Sequence, residues 1–110
     1  MARKKQTSYS DGIAELYRKK DPESNVKSLD DLEYLGFLYY TEKSNRQQDV
    51  EFAQQLGTTL SLKIATPDDG NMDSSRNVVI GDTIYAIIYI DRSREEQELY
   101  FYLEEVRKIE

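Results

Sequence analysis

Along most of the chain, apolar residues alternate with polar ones at the two-residue period of a half-buried strand. Val78-Val-Ile80 and Thr83–Ile90 are two such runs, separated by Gly81-Asp82. Glycine followed by aspartate between β-branched runs predicts a hairpin, since glycine supplies the positive φ the turn needs. Asp91–Glu95 makes a second turn. Glu98–Val106 is then a strand with Leu99, Phe101 and Leu103 inward and Tyr100, Tyr102 and Glu104 outward. The C-terminal residues 107–110 are expected to fray.

The same reading applied upstream predicts a strand at Gly12–Lys20. Ala14 and Leu16 lie on one side of it, Ile13 and Tyr17 on the other. Asp21–Asp31 is a polar loop that Val26 and Leu29 can tack to the body. Leu32–Thr41 is apolar on both faces, which predicts a strand that is central or covered on both sides, and Gly36 within it predicts a bulge or bend. At Ser44–Leu56 the period changes. Val50, Ala53 and Leu56, with Phe52 beside them, repeat at helical spacing. Ser44 and Gln47 have the spacing of a capping box, and Gly57 is placed to end the helix. Thr58–Thr66 returns to alternation, with Leu60, Leu62 and Ile64 opposite Ser61, Lys63 and Ala65. Residues 67–77 form a turn-rich polar loop.

Six strands and one helix result. The last three strands form a meander, which cannot bury both faces alone and must pack on the earlier strands. The fold class is mainly β: a small barrel or sandwich with one α-helix inserted between the second and third strands. Residues 1–11 are polar, basic and unpatterned, and are expected to form a flexible arm. Residues 12–110 are expected to form the single domain.

Composition narrows the chemistry. With no histidine and no cysteine, the chain lacks the commonest general base, the commonest transition-metal ligands and any thiolate nucleophile. No apolar stretch approaches the ~20 residues that span a bilayer, and no secretory signal is expected. The net charge of −6 is uneven, because residues 1–20 balance to +4 and the rest to −10. An acidic body is a poor general nucleic-acid binder, because that affinity comes mainly from neutralising phosphates. It suits a surface that lets DNA pass, and equally a domain that charge keeps in solution.

Nucleotide-loop, nucleophile-elbow and metal-spacing motifs are absent. Asp68-Asp69-Gly-Asn-Met-Asp73 has the composition of a calcium loop but not its register, since the twelfth position is Val79 instead of glutamate. The carboxylates of Asp30-Asp31-Glu33, Glu95-Glu96-Glu98 and Glu104-Glu105 read as solvated charge. Neither a cofactor nor catalysis is expected. Of the nine tyrosines, Tyr34, Tyr39, Tyr40, Tyr85, Tyr89, Tyr100 and Tyr102 fall on predicted strands. Tyrosines can stack unpaired bases, but Tyr100 and Tyr102 neighbour Glu98, Glu104 and Glu105. The rings therefore suit half-wet sheet faces or protein contacts better.

The order of elements resembles a known family. Asp49-Val-Glu-Phe-Ala-Gln-Gln-Leu56, a strand closing in Thr66-Pro67-Asp68, then Asp73, Arg76-Asn-Val-Val-Ile-Gly-Asp-Thr-Ile-Tyr85 and Ile87-Ile-Tyr-Ile-Asp91 are similar to the head-closure proteins of tailed siphophages and prophages, also called stoppers or head–tail adaptors. The resemblance spans about residues 40–106 and rests on order and spacing. It implies a β-barrel that is monomeric in isolation and assembles as a ring of about twelve copies beneath the portal and adaptor proteins. The ring would close the channel after DNA packaging, let double-stranded DNA pass without specific binding, and dock a tail-terminator or tail-completion protein. The chain would be made in the bacterial cytoplasm and reside in the virion. Carried onto this sequence, gating and inter-subunit contact would fall to Lys43–Thr59, with Arg46, Gln47, Val50, Phe52, Gln54, Gln55 and Leu56. Adaptor- or tail-facing contact would fall to Asp21–Asp31 and Pro67–Asn77, with Asp68, Asp69, Asn71, Met72 and Arg76. A tail-completion or other small virion ring protein, and a single-stranded nucleic-acid-binding barrel, are the alternatives. The helix itself has two readings: a cap on the barrel's open end, or an element that changes partners on assembly.

Overall fold

The computed structural model describes residues 9–68 and 75–109. Six antiparallel strands close into one barrel. They are β1 (Gly12–Lys19), β2 (Leu32–Lys43), β3 (Leu62–Pro67), β4 (Asn77–Ile80), β5 (Thr83–Ser93) and β6 (Glu98–Lys108). The order around the barrel is β1-β2-β3-β6-β5-β4, with β4 returning to β1. Helix α1 (Gln47–Gln55) lies in the β2–β3 connection. Because β2 and β3 are hydrogen-bonded neighbours, that connection is an excursion from a hairpin.

Strand alternation fills the interior. Leu99, Phe101 and Leu103 of β6 are fully buried there with Ile64, Val78 and Ala14. The predicted hairpin forms at Gly81-Asp82, where Ile80 pairs with Thr83. Gly36 marks the predicted irregularity in β2: Leu16 pairs with Gly36 but Tyr17 with Tyr34, so Leu35 is the extra residue of a bulge. Gly36 has φ +151, a conformation that other residues rarely adopt.

The outer face carries two further clusters. In one, Val26 is buried with Leu32, Val79 and Ile84, and Leu29 packs beside it. The polar loop is thus tacked to the barrel through the two apolar residues that punctuate it. Its end is a 3-10 turn, Leu29–Asp31, closed by Ser28 and Asp31. The Ser28 hydroxyl accepts from the Asp30 amide, and the Asp31 carboxylate accepts from the amides of Lys27 and Ser28. The other cluster lies beneath α1.

Five expectations are corrected. The helix begins at Gln47, not Ser44, and the third strand begins at Leu62, not Thr58. Residues 107–109 do not fray: Arg107 and Lys108 pair with Ile84 and Thr83, and the Ile109 amide donates to the Asp82 carbonyl at 2.6 Å. β2 is central, paired with β1 and β3, but is not covered on both faces, because Phe37 and Tyr39 on its outer side are about half exposed. Of the N-terminal arm, Tyr9 and Asp11 are tied down. The Asp11 amide donates to the Tyr40 carbonyl, and the Tyr9 hydroxyl donates to Glu98 at 2.7 Å. Residues 1–8 lie outside the described residues.

Candidate functional site

α1 is too short to be stable as an isolated helix, so its position is set by its ends and by one face. The Arg46 amide donates to the Asp49 carboxylate at 3.2 Å, which caps the first turn. The expected Ser44–Gln47 box is replaced by this pair, and Gln47 instead reaches along the exposed face to Glu51 at 3.3 Å. At the other end Leu56 is the C-cap. The Gly57 amide donates to the Gln54 carbonyl and the Thr58 amide to the Ala53 carbonyl, both at 3.0 Å. This reciprocal pair satisfies the Gln54 carbonyl, adds a second donor to the Ala53 carbonyl beside the Leu56 amide, and requires the left-handed φ of +76 at Gly57.

The helix does not cap the barrel's open end. It lies on the outer wall, over β3, β5 and β6, because Tyr100, Tyr102 and Lys63 occupy strand positions that alternate with the interior residues. Ala53 is fully buried against this wall with Leu60 and Tyr102, and Val50 and Phe52 pack at the margin with Ile88. Phe52, Tyr89 and Tyr102 form a triad of edge-to-face rings, with centroids 5.2, 5.7 and 6.4 Å apart.

At the centre of the seat is a buried ion pair. Lys63 Nζ lies 3.1 Å from Asp49 Oδ2, and both side chains are more than nine-tenths buried. Tyr102 Oη donates to Asp49 Oδ1 at 3.3 Å, and Arg46 Nε donates to Oδ2 at 3.3 Å from the solvent side. The Lys63 ammonium also sits 4.9 Å from the Tyr102 ring centre, a cation–π contact. Burial pushes the Asp49 carboxyl up, but hydrogen bonds from Arg46 and Lys63 outweigh it and hold the group below its usual range, as a carboxylate. The Tyr102 hydroxyl is pushed up by burial and then by Asp49, so it remains a donor. A pair of this kind adds little net stability, yet removing one partner strands a buried charge.

The expected gating residues thus divide. Val50 and Phe52 face the seat. Gln47, Gln54, Gln55 and Leu56 face solvent, and Leu56 is 54% exposed. Arg46 does both, capping the helix while its side chain stays largely exposed. Of the expected loop contacts, Asp68 and Arg76 lie among the described residues. Asp68 pairs with Arg92 at 2.8 Å. Arg76 lines a groove with Arg18, Lys19 and Pro22, the last at the start of the Asp21–Asp31 loop. Asp69, Asn71 and Met72 lie outside the described residues. Asp49 and Lys63 are not among the residues the sequence points to as a site, and Tyr102 reads there only as an outward ring suited to a half-wet face or a protein contact. The available signals were a lysine on the outward side of an apolar strand and an aspartate beside Val50 and Ala53 at helical spacing.

A second buried carboxylate, Glu98, accepts from the hydroxyls of Tyr9 and Tyr100, each at 2.7 Å. Burial raises its affinity for a proton, but these two hydrogen bonds outweigh that and hold it below its usual range. The Tyr9 hydroxyl is pushed up to about 12 by burial and by Glu98. Among the described residues no cluster of carboxylates suits a metal ion, and no helix is long and apolar enough to cross a membrane. In comparisons with known proteins, no family model and no curated protein matches the chain.

Proposed function

We propose that the chain is a non-catalytic structural component of a phage head–tail connector, which closes the portal channel after packaging and docks the tail. The observation that carries this reading is the relation of α1 to the barrel. The strands close without it, and it contributes no residue to the interior core. Its seat is a single buried ion pair and one apolar strip. Such an element can leave the wall without unfolding the body, and both Lys63 and Asp49 become hydrated when it does. A channel-closing part needs this: a rigid frame carrying a segment that can exchange partners. The order of motifs over residues 40–106 supplies the connection to head-closure proteins.

Deleting the gene from the phage or prophage that carries it, and imaging the particles, tests the reading. The expected result is heads that package DNA, fail to retain it and lack tails, with recovery on complementation. Intact tailed particles would overturn it. Exposed Tyr34, Phe37 and Tyr39 favour one competing reading, a single-stranded nucleic-acid platform. Glu15 stands opposite Phe37 on that face, so an oligonucleotide is expected not to bind even at low salt.

A further inference from the structure

Among the described residues three charged side chains are buried, Asp49, Lys63 and Glu98, and all three meet on one wall. The register of β3 and β6 sets their order. Lys63 stands opposite Tyr102, Ala65 opposite Tyr100 and Pro67 opposite Glu98, so these residues share the outer face in two adjacent rows. α1 covers the Lys63 end of the rows through Asp49. Tyr9 reaches the other end, where its hydroxyl donates to Glu98 Oε2 at 2.7 Å. The chain behind Tyr9 is pinned as it enters β1. The Asp11 amide donates to the Tyr40 carbonyl at 3.0 Å, and the Asp11 carboxylate accepts from the Glu42 amide at 2.7 Å. Two separate coverings, a helix and the N-terminal segment, therefore dock on one line of buried polar groups.

Tyr100 joins the two ends. Its hydroxyl shares one proton between Glu98 Oε1 at 2.7 Å and Glu96 Oε2 at 3.1 Å. Its ring centre lies 5.7 Å from the Lys63 ammonium, within cation–π range, and that ammonium is 3.1 Å from Asp49. Tyr9 is thus the hydroxyl that Glu98 does not share with another carboxylate. Without it, the buried carboxylate is short of a donor, and water must come to the Glu98 end of the wall to replace it. The Tyr100 ring then loses its fixed neighbour and shields Lys63 less. A more hydrated ammonium holds Asp49 less strongly, because the attraction falls as the local dielectric rises. The contacts run without a gap from Tyr9 through Glu98, Tyr100 and Lys63 to Asp49 of α1.

We propose that Tyr9 is a latch on α1: docked on Glu98 it holds the helix in its seat, and withdrawing the N-terminal segment from the wall loosens the helix. The latch rests on the connector reading for its purpose, since it names what sets the separable element free, but it is measurable on the isolated full-length chain. Native-state hydrogen exchange reads the opening of α1 at the amides of residues 50–56. Tyr9→Phe keeps the ring and removes the donor. It is expected to raise exchange at those amides about fivefold, the lower end of ordinary coupling between sites. Ser10→Ala, at the exposed neighbour, is expected to leave exchange unchanged. Tyr100→Phe is expected to raise it as Tyr9→Phe does, and adding Tyr9→Phe to Tyr100→Phe is expected to bring no further rise, because the line is already cut. A rise of less than about twofold in Tyr9→Phe, or a rise that adds in full to that of Tyr100→Phe, would overturn the proposal. A coupled rise alongside intact tailed particles after gene deletion would leave the latch standing and the connector reading refuted. No coupling alongside tailless heads that lose their DNA would do the opposite.

Discussion

Two walls of this barrel carry aromatic residues on their outer face, and only one is covered. On the α1 wall, Tyr102 is buried beneath Ala53 and Phe52, and the polar atoms within the seat are matched by Asp49, Lys63 and Arg46. On the β1–β2 wall, Phe37 and Tyr39 stack on each other and remain about half exposed. The difference lies in what the chain supplies to each. The β2–β3 connection is long enough to lay a helix on its wall, whereas the Asp21–Asp31 loop covers only the end of β1 and β2 at Tyr17 and Leu32 and leaves Phe37 and Tyr39 exposed. Aromatic content alone therefore does not say whether a strand face is core. The covered wall contributes to the stability of the chain, and the bare wall is left largely in water.

Mutations can break that division, and the largest effect is expected at the ion pair. Asp49→Ala leaves the Lys63 ammonium buried without its partner, and is expected to cost about 3 kcal/mol in urea unfolding. Replacing both residues, as Asp49→Leu with Lys63→Met, is expected to recover most of that loss. A double variant as unstable as the single one would contradict the account of the seat. Phe52→Ala removes one ring of the triad and is expected to cost about 2 kcal/mol, less than a fully buried ring would. Gly57→Ala forces a side chain into a left-handed conformation and is expected to cost about 1 kcal/mol, seen as a small fall in helical signal. On the bare wall, Phe37→Ser or Tyr39→Ser is expected to change stability by no more than about 0.5 kcal/mol. An equal loss on the two walls would erase the distinction.

Acid provides a further probe of the covered side. Asp49 and Glu98 are both held below their ordinary values of 3.8 and 4.5. Their contribution to stability is therefore present above those values and lost as pH falls through the lower, folded-state values. Thermal unfolding is expected to show a stability plateau above about pH 5 and a decline below about pH 4. Asp49→Asn, made in the background of Lys63→Met, is expected to flatten part of that decline.

Much of the fold was legible because strand alternation is local. The six strands, the Gly81-Asp82 hairpin, the Gly36 bulge and the tacking residues Val26 and Leu29 follow from period, turn chemistry and isolated apolar residues. The errors share one physical origin, since each depends on residues distant in sequence. Ser44 and Gln47 have the spacing of a capping box, but Asp49 takes that role because Lys63 and Tyr102 draw its carboxylate onto the wall. Residues 107–109 look polar enough to fray, yet they complete the ladder with Thr83 and Ile84. Leu32–Thr41 is apolar on both faces, and sequence cannot distinguish a face buried by the chain from one left exposed. The site was legible in outline, through Val50, Phe52 and Ala53, whereas Leu56 at the same helical spacing faces solvent. Its polar centre was not, because a lysine on an outward strand position is solvated unless something lies over it.

The central claim is that α1 is a separable cover on a complete barrel. Native-state hydrogen exchange of the purified protein tests it most directly. The account predicts that the amides of residues 50–56 exchange through a local opening, while those of Leu99, Phe101 and Leu103 exchange only on global unfolding. A single shared opening free energy for α1 and β6 would contradict it.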